Sequence, residues 1–210
     1  YKGSSNEQQL TDSAVYETAG EGLARGGQVL TSFYHSTCGG HTADPAEVWG
    51  EQFARTNSWL RPVDDGTWDS ESRWASWQVS WSRQQLLLML KQNLPEVVKM
   101  SGDEIGEPTD IEVMTKGPSG RNTLLKVTTD KRVLQVAGDN IRRALRQPDG
   151  KMLPSTMFDL KLQREGAGGV SIVANGRGFG HGLGMCQTGA IARANAGQGR
   201  LLRKSCGSTM

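Results

Sequence analysis

Glycine occupies every second position from residue 176 to residue 184, in the run Gly-Arg-Gly-Phe-Gly-His-Gly-Leu-Gly. Glycine adopts positive φ angles and lets the backbone come close to other groups. The run therefore predicts a tight loop, and the small residues that follow predict a helix. Glycine accounts for 27 of the 210 residues, about twice its ordinary share, which indicates a turn-rich globular protein rather than a linker.

The residues best suited to chemistry gather in two segments, residues 34–42 and residues 176–190. These segments hold all three histidines of the chain and two of its three cysteines. An imidazole in a glycine-rich loop can exchange hydrogen bonds or bind a metal. The alternative is a pair of tight turns whose polar residues face water. We interpret the clustering as a functional site and expect the two segments to lie close together in space.

The glycine run does not match the loops that bind phosphate. Residues 176–180 lack the Lys-Ser/Thr pair of a P-loop. Leu183 stands where a dinucleotide fingerprint starting at Gly178 needs its third glycine. Residues 180–184 also lack the serine of a nucleophile turn. The sequence therefore gives no support for a nucleotide site.

Metal binding is a separate hypothesis for the first segment. His35, Cys38 and His41 offer three ligands at intervals of three residues. Zinc favours four nitrogen and sulfur ligands, and Cys186 is the preferred fourth, with His181 as the other candidate. The spacing fits no standard zinc finger, and the two cysteines could instead be free thiols or a disulfide. If zinc binds, we expect at least two ligands from the first segment.

Strands mixed irregularly with short helices predict an α+β fold, with mixed sheets and a single main core. Asp44, Pro45 and Glu47 have the spacing of a capped helix start, and Ser82 caps a second helix over residues 83–90. A third, short helix is predicted over residues 141–145. Residues 1–20 and 93–108 are predicted loops. Strands are predicted over residues 28–35, 77–81, 110–114, 124–128, 132–136, 158–162 and 169–174.

Composition excludes several classes of protein. The chain has 24 Lys and Arg against 22 Asp and Glu, a balance that predicts no nucleic-acid partner. No stretch approaches the roughly 20 apolar residues of a membrane span. Three cysteines are too few, and odd in number, for a dense disulfide framework. The chain starts at Tyr1 with neither Met nor a signal peptide, which we interpret as a fragment or a processed form.

Three stretches follow one another in a specific order along the chain. The first is His-Ser-x-x-Gly-Gly-x-Thr at residues 35–42, with Val-Trp-Gly at residues 48–50. The second is Gly-Asp-Asn-Ile-Arg at residues 138–142, leading to Leu-Pro-Ser-Thr-Met-Phe at residues 153–158. The third is Gly-x-Gly-x-Gly-His-Gly-x-Gly-Met-x-Gln-x-Gly-Ala at residues 176–190. In this order the stretches resemble the SpoIID/LytB family, named after a sporulation protein and an enhancer of cell-wall amidases. The resemblance covers residues 1–198, which we expect to form one domain.

The resemblance implies a cell-envelope protein, periplasmic or otherwise extracytoplasmic, that acts on peptidoglycan glycan strands. Sporulation members are lytic transglycosylases, which cleave the MurNAc–GlcNAc bond with a Glu as general acid. Some members hold zinc near the site through Cys and His, so zinc is a candidate cofactor but not a required one, and its candidate ligands here are His35, Cys38, His41 and Cys186. Carried over position by position, the motifs imply these substrate-binding residues: His35, Ser36, Gly39, Gly40, Thr42, His181 and Gln187.

Two departures from the family pattern bear on activity. The family's catalytic Glu lies in a helix upstream of a Tyr-x-Gly that residues 1–3 resemble, so we expect that Glu upstream of Tyr1 and assign its role to no residue of this chain. Residues 199–210 are basic and unlike the family's continuation, and we interpret them as an atypical tail. We therefore expect the isolated chain to be inactive.

Three hypotheses about function follow from the resemblance and its departures. The first is a lytic transglycosylase that is truncated in this chain. The second is a non-catalytic glycan-binding module that stimulates a cell-wall amidase. The third is a structural or metal-binding domain with no role in glycan binding.

Overall fold

The computed structural model describes residues 8–164 and 170–198. The described part of the chain divides into two compact units, one that contains residues 8–32 and one that contains residues 33–198 without 165–169. The sequence-predicted tail, residues 199–210, lies outside the described residues.

The first unit contains helix α1 (Gln9–Glu17) and a hairpin of strands β1 (Ala24–Arg25) and β2 (Gln28–Val29). The prediction of a loop over residues 1–20 was therefore wrong where α1 lies. None of the residues of α1 is buried, so the apolar periodicity of a packed helix is missing from its sequence. The predicted strand over residues 28–35 was also wrong as one element, because only its first two residues belong to this hairpin.

The second unit is built on two antiparallel three-stranded sheets and on one parallel pair of strands. The strands are β3 (Tyr34–His35), β4 (Trp77–Ser82), β5 (Pro108–Lys116), β6 (Asn122–Thr129), β7 (Val133–Ala137), β8 (Phe158–Arg164), β9 (Val170–Gly176) and β10 (Met185–Cys186). The two sheets are ordered β4-β9-β8 and β5-β6-β7, and the parallel pair consists of β3 and β10. The alternating strands predicted from the sequence lie in the two larger sheets.

Side-chain hydrogen bonds cap the first turn of several helices in the second unit. Asp44 accepts a hydrogen bond from the Ala46 amide at 2.8 Å, and Glu47 accepts one from the Asp44 amide at 3.2 Å, so the predicted capping box is confirmed. Ser82 caps the long helix in the same way. The helices are α2 (Pro45–Trp49), α3 (Glu51–Thr56), α4 (Arg83–Val98), α5 (Gly102–Ile105), α6 (Asn140–Ala144), α7 (Gln187–Arg193) and a π-helical segment (Ala194–Gln198).

Helix α4 supplies one side of the main core. Leu86, Leu90 and Leu94 recur every four residues on its buried face, and each such burial contributes about 1.5–3 kcal/mol. The prediction of a connector from residue 93 was wrong, because α4 continues through Pro95 to Val98. A proline inside a helix costs about 3 kcal/mol, and the burial of Leu94 beside it offsets that cost.

A small second cluster of Ala43, Val48 and Leu183 lies apart from the main core, with Phe33 and Phe53 packed against it. The α+β prediction with one main core is confirmed. In the described part of the chain, no helix combines the length and the apolar character that crossing a membrane requires.

Candidate functional site

The two chemistry-bearing segments meet at the parallel pair of β3 and β10. Cys186 lies directly beside His35 in this pairing. One step along, the backbones of Thr37 and Phe179 exchange two hydrogen bonds, of 3.1 and 2.8 Å. The imidazole rings of His35 and His181 lie 5.9 Å apart. The expectation that the two segments lie close together is confirmed.

Two glycines of the run show why the segment needs this residue. Gly182 has a φ of +87°, and a Cβ there would lie 2.5 Å from the guanidinium of Arg121. Gly184 has a φ of +71°, and a Cβ there would overlap the carbonyl oxygen of Phe33. Any other residue at these positions would have both a strained backbone and a steric clash, so the close contact of the two segments depends on glycine.

Three potential metal ligands converge at this contact. One ligand atom each from His35, Cys38 and Cys186 lie within 4.8 Å of one another, and all three residues are buried. Their elements explain the convergence, because β3 and β10 bring His35 beside Cys186 while the loop after β3 turns Cys38 back toward them. We call this group the thiol–imidazole centre.

The hydrogen bonds of His35 leave one ring nitrogen free. Its Nδ1 lies 3.1 Å from the carbonyl oxygen of Leu183, which can only accept, so Nδ1 carries the proton. Its Nε2 is buried and has no hydrogen-bond partner in residues 8–164 and 170–198. A metal-binding histidine usually has one nitrogen fixed by a carbonyl and the other unprotonated, and His35 fits that description.

The two thiols differ sharply in acidity. A hydrogen bond from the Cys38 thiol, aided by the backbone amides of Gly189 and Cys38, lowers the pKa of Cys186 to about 5. The pKa of Cys38 is raised, first by its hydrogen bond to Cys186 and then by burial. Cys186 therefore provides a thiolate at neutral pH, the form in which sulfur binds metals.

Two buried carboxylates complete the surroundings of the thiols. An oxygen of Asp69 lies 3.2 Å from the sulfur of Cys38 and 3.9 Å from that of Cys186. An oxygen of Asp65 lies 3.4 Å from the sulfur of Cys38. Neither residue was predicted from the sequence, because both lie in a polar stretch without the regular spacing of metal ligands. Asp69 is the carboxylate that lies near both sulfurs, although its oxygens are not among the three ligand atoms that converge.

A buried arginine fixes the loop that carries Cys38. The guanidinium of Arg121 donates hydrogen bonds to the carbonyl oxygens of Cys38, at 2.7 Å, and His41, at 2.8 Å. Burial lowers the pKa of Arg121 to about 10, which leaves the side chain charged at neutral pH. Nothing in the sequence around Arg121 pointed to this role.

His41 lies outside the thiol–imidazole centre, although the sequence placed it among the metal ligands. Its Nδ1 lies 2.7 Å from the carbonyl oxygen of Thr42, and it is not among the three residues whose ligand atoms converge. Cys38 and Cys186 are free thiols in the structure.

The sequence-predicted substrate residues are spread over different environments. His35, Thr42 and Gly39 are buried, and Thr42 is occupied by hydrogen bonds with Val63. Gln187 is exposed at the start of α7. Those of intermediate exposure are Ser36, Gly40 and His181.

His181 connects the second segment to an aromatic cluster. Its ring lies 5.1 Å from that of Trp49, which in turn packs edge-on against Phe53 at 4.7 Å. The Leu183 amide donates to Nδ1 of His181, so Nε2 carries the ring proton. Burial and the nearby His35 lower the pKa of His181 to about 4, and the ring is neutral at pH 7.

The carboxylate of Glu47, an acid close to the first segment, is fully engaged in hydrogen bonds. Its carboxylate accepts hydrogen bonds from the amide and hydroxyl of Ser119 and from the Asp44 amide. A side chain bound in this way joins α2 to the turn between β5 and β6, and it has no oxygen free for acid catalysis.

The fold and site define an α+β protein whose thiol–imidazole centre lies between two glycine-rich segments. Residues 54–184 match the model of a family described as a domain of unknown function, DUF8618. The match covers more than half of the chain, and the chain belongs to this family.

Two curated relatives are similar over most of the chain. The amidase enhancer of Bacillus subtilis (strain 168) is 24% identical over 231 residues, covering 89% of this chain and 30% of the relative. An uncharacterized protein of Brachyspira hyodysenteriae (strain ATCC 49526 / WA1) is 24% identical over 194 residues, covering 92% of this chain and 46% of the relative. The chain thus spans less than half the length of each of these relatives.

Proposed function

We propose that this chain is a peptidoglycan-binding domain of a cell-envelope protein, located outside the cytoplasm, and that it stimulates a cell-wall amidase. The observation that carries the proposal is the assembly of the two motif segments into one buried centre. The similarity to a protein named amidase enhancer supports a role in the cell wall together with an amidase. In this proposal residues 1–198 form the SpoIID/LytB-like part of the protein.

Lytic transglycosylase activity is the second candidate function, favoured by the same three motif stretches. It needs a general acid held next to the glycan. The buried carboxylates near the two segments are engaged in the fold: Glu47 by Ser119 and Asp44, Asp65 by Arg193, and one oxygen of Asp69 by the Gly39 amide. We therefore place the non-catalytic role first, and assign any acid of a transglycosylase to a part of the protein outside this chain.

The proposal includes zinc, held by His35, Cys38, Cys186 and Asp69. The orphaned Nε2 of His35 and the thiolate of Cys186 fit such an ion. Zinc bound there would be a structural ion that joins the two segments. All four of its ligands are buried protein side chains, so no coordination position remains open for a substrate. The free side chains of the motifs, among them His181 and Gln187, would then face the glycan.

Binding to purified peptidoglycan sacculi tests the proposed function. We expect the chain to sediment with sacculi but not with cellulose, and to raise the rate at which a purified cell-wall amidase releases peptides from them. The Gly182→Ala variant, whose Cβ would press against Arg121 and disturb the contact between the two segments, should lose both properties. Recovery of the wild-type chain in the supernatant at low salt would refute the proposal.

A further inference from the structure

A cavity of about 370 Å³ lies between helix α4 and the loop that follows helix α6. One wall is a face of α4 whose residues recur at intervals of three and four: Gln85, Leu88, Met89, Gln92 and Asn93. The loop supplies the other wall through residues 146–148 and 150, and Trp81 of β4 also lines the cavity. The volume is in the range of sites that bind small organic ligands. The lining shares no residue with the thiol–imidazole centre, so the proposed zinc does not explain this cavity.

The lining of the cavity contains one charged side chain, that of Arg146, and no Asp or Glu. The acid of the loop, Asp149, is bound by Lys151 at 2.6 Å. A carboxylate oxygen of Glu96, farther along α4, lies 3.9 Å from the guanidinium of Arg143. In the part of the chain that the structure describes, Arg146 forms no ion pair. The cavity therefore favours a ligand with a negative charge.

The guanidinium of Arg146 is held in place by contacts of its own backbone and side chain. Its amide donates to the sulfur of Met89 at 3.0 Å, and the indole of Trp81 donates to its carbonyl oxygen at 2.9 Å. Its Nη1 donates to the carbonyl oxygen of Gly150 at 3.1 Å. Its Nε is buried and has no hydrogen-bond partner among the described residues. A guanidinium has five N–H donors, so this one is positioned before a ligand binds and retains donors for it.

The rest of the lining combines apolar surface with side-chain amides. Leu88 is 55% exposed, so a ligand that covers it removes apolar surface from water. Gln85 and Gln92 are exposed on the same face of α4, and the amide group of each can both donate and accept hydrogen bonds. Gln85 uses its Oε1 to accept from the Ser82 amide at 2.9 Å, which leaves its NH₂ group for a ligand. These groups match a ligand that joins a carboxylate to an apolar side chain and a peptide group.

We propose that this cavity binds the carboxyl-terminal end of a peptide. The terminal carboxylate contacts Arg146, the last side chain packs on Leu88, and the preceding peptide group hydrogen-bonds to the glutamines of α4. Charge-assisted hydrogen bonds of this kind are roughly twice as strong as neutral ones. Inorganic phosphate matches the charge of Arg146 but leaves Leu88 uncovered. The site uses no residue of the three motif stretches, so it stands or falls independently of the proposed function.

Isothermal titration calorimetry on the full 210-residue chain tests this inference with two matched dipeptides. One is acetyl-Ala-Leu with a free carboxylate, and the other is the same dipeptide with a carboxyl-terminal amide. We expect the acid to bind roughly 10-fold more tightly than the amide. Arg146→Met should remove that preference, and Arg143→Met, at an exposed arginine outside the cavity, should preserve it.

Leu88→Ala is the second variant, because it removes apolar surface at an exposed position and should leave the chain folded. We expect it to weaken both dipeptides by roughly 5-fold and to keep the preference for the acid. Inorganic phosphate, added as a competitor, should displace the acid only when it is in large excess.

Three results would overturn the inference. The first is that the wild-type chain binds neither dipeptide or binds both equally. The second is that a folded Arg146→Met variant keeps the preference for the acid, or that Leu88→Ala binds both dipeptides as tightly as the wild-type chain. The third is that phosphate competes at the same concentration as the acid, which would show a general anion site.

Discussion

The sulfur of Cys186 accepts hydrogen bonds from two backbone amides, that of Cys38 at 3.3 Å and that of Gly189 at 3.4 Å. These two donors stabilise a negative charge on this sulfur. The carboxylate of Asp69 would repel that charge at 3.9 Å unless a cation or a proton lies between them. Two negative charges so close together are the physical reason to expect a metal ion at this site.

Removing one ligand should therefore remove the metal. We expect elemental analysis of the purified chain to give one zinc per molecule, and Cys38→Ser to give none. Asp69→Asn should retain zinc with an affinity weakened roughly 10- to 100-fold, since an amide oxygen is a poorer ligand than a carboxylate.

His41→Gln is the matched control, because His41 lies outside the centre. It should bind zinc as the wild-type chain does. Zinc that persists in Cys38→Ser would show that the metal is held elsewhere.

The neutral His181 predicts a dependence of stability on pH. Its pKa is lowered to about 4 in the folded chain, against 6.5 for an ordinary histidine. Between these values the unfolded chain takes up a proton that the folded chain does not, so the free energy of unfolding should fall as the pH drops from about 6.5 to about 4.

Urea unfolding at pH 7 and pH 4.5 measures this effect. His181→Gln should lose less stability than the wild-type chain over that interval, and NMR titration should give the His181 ring a midpoint well below 6.5. An ordinary midpoint would contradict the buried, neutral ring.

Helix α4 has one buried and one exposed face, and leucines lie on both. Leu90 is completely buried, whereas Leu88, two residues earlier, is 55% exposed. We expect Leu90→Ala to lower the free energy of unfolding by about 2–5 kcal/mol and Leu88→Ala to change it by less than about 0.5 kcal/mol. Urea denaturation of the two variants checks the buried face, and equal losses would show that α4 packs in another orientation.

A comparison of two glycines separates backbone strain from steric clash. Gly182 and Gly150 both have positive φ, but a Cβ at Gly150 would meet no atom within 4 Å. Gly150→Ala should therefore cost only the backbone strain, about 1–2 kcal/mol. Gly182→Ala should cost more and should also release zinc, because it pushes against Arg121, and thermal unfolding with metal analysis separates the two effects.

Elements whose formation depends on local chemistry could be predicted from the sequence. The capping residues Asp44 and Ser82 gave the correct helix starts, and the alternation over residues 77–81 gave β4. Helix α1 and the end of α4 were missed, because one has no buried face and the other passes through Pro95. Local patterns do not reveal a helix that depends on weak propensity alone or on packing against distant strands.

The same limit applies to the site. The meeting of the two segments was predicted because both carry recognisable motifs. Asp65, Asp69 and Arg121 were missed, since each acts through tertiary contacts with Cys38 or its loop and has no partner at a regular spacing in the sequence. A spacing rule in turn included His41, which the fold directs toward the carbonyl oxygen of Thr42.

For the molecule as a whole, we predict low catalytic activity. The carboxylates of Glu47, Asp65 and Asp69 are held by hydrogen bonds within the fold. We expect the isolated chain to release little or no anhydro-muropeptide from sacculi, because a missing general acid alone costs a factor of about 10²–10⁴ in rate. Mass spectrometry of the soluble products measures this. Robust release that disappears in Glu47→Gln would show that Glu47 leaves Ser119 and acts as the acid.

The pairing of β3 with β10 also constrains the order in which the molecule can form. The two cysteines of the centre are 148 residues apart in sequence, whereas β6 and β7 are joined by a short turn. During synthesis the first thiol leaves the ribosome long before Cys186 exists, and closing so long a loop carries a large entropic cost. The hairpins are therefore expected to fold before the thiol–imidazole centre is complete. Until the second segment packs against the first, the thiol of Cys38 is exposed to oxidants.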